Sequence, residues 1–109
     1  MDIYTIYADH TSNSNAKDFT TKMKKFLDKM VKMNRIENYR LTRCKLGFRS
    51  MNLPEFRIDM EFKNMQQLDD AMSSVISNEE SIEDEHIGFN HLVDVDTIQH
   101  FLYRDYPDE

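Results

Sequence analysis

Arg57, Asp59 and Glu61, with Glu55 just before them, are the residues in this chain best arranged for acid–base chemistry. Crowded carboxylates raise one another's pKa, so Asp59 or Glu61 suits a general base, and Arg57 or Arg43 suits stabilisation of a developing enolate-type oxyanion. Proton abstraction next to a carbonyl, leading to isomerisation, cyclisation or oxygenation, is the reaction such a set would serve. The opposing reading needs no reaction. Charges shielded from water must pair, and these four can form an ion-pair network that fixes strand register and subunit geometry.

The element that holds them is a β-strand over Glu55–Phe62. Successive side chains of a strand point to opposite faces, so Phe56, Ile58, Met60 and Phe62 form an apolar face behind the charged one. A helix would scatter the same residues round its circumference. A preceding strand over Tyr39–Phe48 places Tyr39, Leu41, Arg43 and Lys45 on one side, and Arg43 and Lys45 then join the charged flank if that side is shared. With Glu55, and with His100 and Tyr103 from a strand over Thr97–Arg104, they make up the candidate ligand-binding set. His100 is also an alternative base.

His86, Asn90 and His91, near Asp94 and Asp96, are a second constellation. The two histidines do not share a helical face and no full ligand set follows, so His86 and His91 stand only as an alternative divalent-metal pair, and no metal or cofactor is expected. Cys44 lies within the expected second strand and reads as a buried, inert thiol. Two glycines are too few for a phosphate-gripping loop, and there is no Ser or Cys nucleophile motif.

The remaining elements follow from periodicity. Asp2–Ala8 is apolar on both faces and reads as a central strand. Asn15 with Asp18 opens a helix over Ala16–Met33, whose apolar stripe runs through Phe19, Met23, Phe26, Leu27 and Met30, with six lysines on its back. Asn64 with Gln67 opens a second helix over Met65–Ser77, with Leu68, Ala71, Met72, Val75 and Ile76 inward. Ile98 and Leu102 of the last strand face one way, Phe101 and Tyr103 the other. Glu79–Glu85 carries five carboxylates and reads as an acidic loop.

The order strand, helix, strand, strand, helix, strand is an α+β, ferredoxin-like βαββαβ arrangement: a four-stranded antiparallel sheet with two helices on one face. At 109 residues and 39% hydrophobic, residues 1–109 suit one domain. Three of the four strands read as apolar on both faces, and the chain has no third layer to cover the second one. A homodimer closing sheet on sheet, burying on the order of 800 Å² per partner, would supply it.

Net charge is −6, but residues 1–50 hold eleven Lys and Arg against five Asp and Glu, whereas residues 51–109 hold three against fifteen. Such halves attract each other in one fold. The acidic third strand argues against nucleic acid. No apolar run spans a membrane and the N-terminus lacks a signal pattern, so with a lone cysteine the expected location is cytoplasmic.

Tyr39–Gly47 (YRLTRCKLG), Leu53–Phe56 (LPEF) and Tyr103–Asp108 (YRDYPD), together with the element order, resemble a bacterial family of dimeric α+β barrel domains that carries no assigned function. The resemblance implies that two sheets form a shared barrel, with a pocket between sheet and helices or inside the barrel. Members of that superfamily include cofactor-free oxygenases, lactone isomerases, aromatic cyclases and haem-handling proteins, and the fold does not choose among them. The expectation is a small-molecule-binding homodimer, either a cofactor-free enzyme acting on a carbonyl or phenolic compound or a non-catalytic ligand-binding or regulatory dimer.

Overall fold

The computed structural model describes residues 1–76 and 91–107. In chain order its elements are β1 (Asp2–His10), α1 (Ala16–Lys32), β2 (Asn38–Arg43), β3 (Phe56–Phe62), α2 (Met65–Ile76) and β4 (Val93–Arg104). The strands form one antiparallel sheet in the order β2-β3-β1-β4. This is the ferredoxin-like arrangement expected from the element order, with β1 central.

β3 alternates as its sequence demands. Phe56, Ile58, Met60 and Phe62 are buried and Arg57 is exposed. The four apolar residues join Phe19, Met23, Phe26, Leu27 and Met30 of α1 and Ala71 of α2 in one core. Both helices therefore cover the same face. Most of the lysines of α1 lie exposed on its far side.

Each helix starts where a side chain can satisfy backbone N–H groups that have no partner within the first turn. Asn15 Oδ1 accepts from the Asp18 N–H at 2.8 Å. At α2 the bonding is reciprocal: Asn64 Oδ1 accepts from the Gln67 N–H at 2.9 Å, and Gln67 Oε1 accepts from the Lys63 N–H at 2.7 Å. Ala71 is buried, with Leu68, Met72 and Val75 half-buried beside it. The side chain of Ile76 lies outside the described residues, as do Glu79–Glu85, His86 and Asn90.

Two strand boundaries differ from expectation. β2 ends at Arg43, not Phe48, because Leu46 and Gly47 both take left-handed backbone angles, φ 57° and 65°, which break an extended chain. Cys44 is thus half-buried just past the strand instead of inside it. β4 starts at Val93, four residues early, across a register shift opposite Tyr7–Asp9. Thr97 bridges that irregularity: its hydroxyl donates to the Asp94 carbonyl at 2.6 Å and accepts from the Asp9 N–H at 3.0 Å.

Only β1 and β4 are apolar on both faces. The outward side of β2 is Asn38, Arg40 and Thr42, because Tyr39 and Leu41 pair with Met60 and Ile58 on the helix side. Tyr39 also ties β2 to α1 by donating to Asp28 at 2.6 Å. Burial, then that carboxylate, push its phenol up to about 12.

Asp2 is buried on the helix side, and Arg104 donates to both of its oxygens, Nε at 2.6 Å and Nη2 at 3.4 Å. The Arg104 hydrogen bond holds the Asp2 carboxyl below its ordinary value of 3.8, outweighing the opposing effect of burial. A depressed carboxylate contributes stability that is present above pH 3.8 and is lost as pH falls below it. In acid titrations followed by circular dichroism, wild type should therefore lose stability below that pH more steeply than Asp2→Asn. Parallel curves would show that the pair does not couple to folding.

Candidate functional site

The sheet separates two groups of side chains. On the open face, Arg57, Asp59 and Glu61 stand beside Thr5 and Ile3 of β1 and Tyr103 of β4. Together with Asn38 and Arg40 they line an open cleft of about 580 Å³. Asp59 is already engaged. The Thr5 hydroxyl donates to its Oδ1 at 2.6 Å, and Arg57 Nε lies 3.2 Å and 3.0 Å from its two oxygens. Glu61 is half-buried and has no side-chain partner among the described residues. Arg57 also lies over the Tyr7 ring, 5.7 Å from its centre.

Thr5 is only 1% exposed although it sits on the uncovered face, between Asp59 and Phe101 in register. Its hydroxyl therefore depends on Asp59 for an acceptor. Asp59→Ala should lower unfolding free energy by about 2 kcal/mol, almost all from the stranded hydroxyl, since the Arg57 pair is exposed and contributes little. Urea unfolding should show Thr5→Val and Asp59→Ala to be strongly non-additive. Simple additivity would mean the two residues do not act as a pair.

The other expected members divide. Arg43 follows Tyr39 and Leu41 onto the helix side, opposite Phe56, and so leaves the charged flank. Its Nη2 pairs with Glu55 at 3.2 Å and its guanidinium lies 5.4 Å from the Phe56 ring centre. Glu55 precedes β3, and Lys45 is exposed in the loop beyond β2, so neither belongs to the cleft. Arg40 takes the place expected of Arg43. The signal was in the sequence: apolar Tyr39 and Leu41 must share the core side with the apolar face of β3, which sends Arg40 outward.

His100 pairs with Ile6 and faces the helix side, away from Asp59. There the Tyr4 hydroxyl lies 2.9 Å from its Nδ1, the rings 6.0 Å apart. Tyr4 lines a cavity of about 200 Å³ between sheet and helices, whose walls, including Ile6, Met23, Phe62, Val75 and Ile98, are almost wholly apolar. Burial raises the Tyr4 pKa above its ordinary value of 10.0, so the phenol keeps its proton, which it can offer to the imidazole when His100 is in the tautomer with a bare Nδ1. The pair is separated by 96 residues and left no mark in local spacing.

His91 is exposed, its expected companion His86 lies outside the described residues, and among the described residues no three His, Cys, Asp or Glu side chains gather to hold a metal ion. No helix among them is long and apolar enough to cross a membrane.

No curated protein sequence matches this chain. Among solved structures, At3g17210 from Arabidopsis thaliana is 7% identical with a TM-score of 0.74, the match covering 100% of this chain and 99% of that one. A dimeric ferredoxin-like protein of unknown function from Jannaschia is 8% identical with a TM-score of 0.68, covering 95% of this chain and 98% of that one. SnoaB, a cofactor-independent oxygenase from Streptomyces nogalater, is 10% identical with a TM-score of 0.63, covering 98% and 96%. At these identities the likeness shows the fold. The model of a family of unknown function, DUF6614, matches residues 1–109, and the chain belongs to that family.

Proposed function

We propose that this protein is a cytoplasmic homodimer of one-domain subunits, its sheets closed face to face, that abstracts a proton from a small carbonyl or phenolic compound without a cofactor. The observation that carries the reading is the Tyr4–His100 hydrogen bond at the wall of an apolar cavity. A dry cavity of about 150 Å³ holds a benzene ring, so about 200 Å³ suits a single-ring compound with a short substituent. Tyr4 faces that compound. As its oxygen takes the proton next to the carbonyl, its own proton passes to His100 Nδ1, leaving an enolate beside an imidazolium; return of the proton to another carbon completes an isomerisation.

The dimeric Jannaschia neighbour and the cofactor-independent SnoaB support the assembly and the reaction class. Apolar residues on both faces of β4 support the assembly further. On the open face, Glu61 is the alternative base, with Arg57 and Arg40 as counter-charges and Tyr103 as a ligand contact; Asp59 is less suited because its oxygens are occupied. That occupancy favours a second reading, in which the flank is a structural network in a non-catalytic binding dimer.

The test is deuterium exchange by NMR in D2O, with single-ring ketones and hydroxyaryl ketones as probes, on protein whose mass by light scattering is twice the 13.1 kDa chain. Exchange should be accelerated by wild type and lost in Tyr4→Phe. Acceleration that survives Tyr4→Phe but fails in Glu61→Gln moves the site to the open face. A monomeric mass removes the assembly.

A further inference from the structure

We propose that the loop between β2 and β3 of each subunit closes over β4 of the other, so that each Tyr4–His100 site is completed by the second copy of the chain. This rests on the homodimer proposed above. Leu46, Phe48 and Met51 in the loop are 91%, 93% and 69% exposed, although the loop is held in shape by backbone bonds. The Cys44 N–H donates to the Glu55 carbonyl at 2.7 Å, and the Phe48 N–H to that of Lys45 at 3.0 Å. Leu46 is fixed at φ 57°, a conformation bulky residues rarely take and one that recurs where a loop is shaped for binding. Three large apolar side chains are thus presented with no seat among the described residues.

β4 has the complementary deficit. On the helix side, Leu102 is 53% and Ile98 39% exposed, one on each side of His100, so both keep apolar area that the described residues leave bare. The loop cannot be their natural lid in the same subunit, because β2 and β4 are the two opposite edges of the sheet. If two such sheets close face to face about a two-fold axis running along the strands, the β2 edge of one copy lies over the β4 edge of the other.

The charges agree. Between Asn38 and Pro54 the chain carries Arg40, Arg43, Lys45 and Arg49 and no acid, whereas β4 begins Val-Asp-Val-Asp, with Asp96 exposed. In a two-fold assembly each contact occurs twice, basic loop on acidic strand and the reverse.

A charge exchange tests this. Lys45→Asp with Arg49→Asp in one variant, and Asp94→Lys with Asp96→Lys in another, should each weaken self-association by on the order of tenfold or more, because both seams become repulsive. An equimolar mixture should associate like wild type, because both seams of the mixed dimer are attractive again. Phe48→Ala, which removes a ring that is 93% exposed in its own subunit, should weaken the dimer without lowering subunit stability, and it should slow the exchange reaction.

Sedimentation velocity reads the changes in association, urea unfolding the subunit stability and NMR in D2O the exchange. Charge variants that dimerise as wild type does, or weakened variants that the mixture fails to restore, overturn the proposal while leaving the dimer intact. A monomeric wild type overturns the dimer as well. Loss of binding to phosphatidylserine vesicles in the loop variant, with dimer mass unchanged, would assign the loop to an anionic lipid surface instead.

Discussion

Replacing His100 by alanine should lower the rate of proton exchange by about 10²- to 10⁴-fold, the contribution typical of a positioned acid–base group. Among the described residues the imidazole is the one side-chain partner of the Tyr4 hydroxyl, so without it the phenol cannot pass its proton on. Because His100 is exposed, its loss leaves no cavity in the core, and the unfolding free energy from urea titration should stay within about 0.5 kcal/mol of wild type. Tyr4→Phe should fall as far in rate while keeping its contribution to the cavity wall, so the loss should lie in kcat far more than in KM. A rate drop in His100→Ala matched by an equal loss of substrate affinity would mean that the histidine only binds. Full activity in both variants would end the assignment.

Replacing Phe56 by alanine should cost about 3–5 kcal/mol of stability, the usual range for a buried aromatic truncated to a methyl group. Phe56 is buried at the start of β3, where its ring meets Phe19 of α1 edge-on at 5.2 Å, His10 of β1 at 6.2 Å and the Arg43 guanidinium at 5.4 Å. It therefore joins a helix to three strands, and no neighbour can collapse into the void without giving up its own contacts. Phe56→Leu refills most of the volume and should cost far less, about 1.5 kcal/mol. Urea unfolding measures both. Near-equal losses would mean that the aromatic contacts, and not the filled volume, hold this corner.

Much of the fold was legible because its signals are local. The period-2 pattern of β3, the apolar stripe of α1 and the caps at Asn15 and Asn64 each depend on residues within four positions of one another, and each appears where expected. The strand ends are less legible. The alternation of β2 continues through Leu46 and Phe48, yet the left-handed turn at Leu46 and Gly47 stops the strand. Val93–Asp96 carries no clear strand pattern of its own, and pairing with the end of β1 makes it part of β4.

The candidate site was legible in part. The charged flank of β3 follows from parity alone, and its closure onto Thr5 follows only from cross-strand register. The Tyr4–His100 pair depends on β1 lying next to β4, a property of topology and not of spacing.

That same adjacency bears on biosynthesis. β1, the earliest of the described strands to be made, is bordered on both sides by partners that lie 48–60 and 83–102 residues later in the chain. The N–H and C=O groups on its β4 side must wait, unmatched, until translation passes Arg104, while α1 can wind at once. Completion of the sheet thus waits for β4, and a ribosome stalled short of it would hold a nascent chain with that edge open to any passing strand or chaperone.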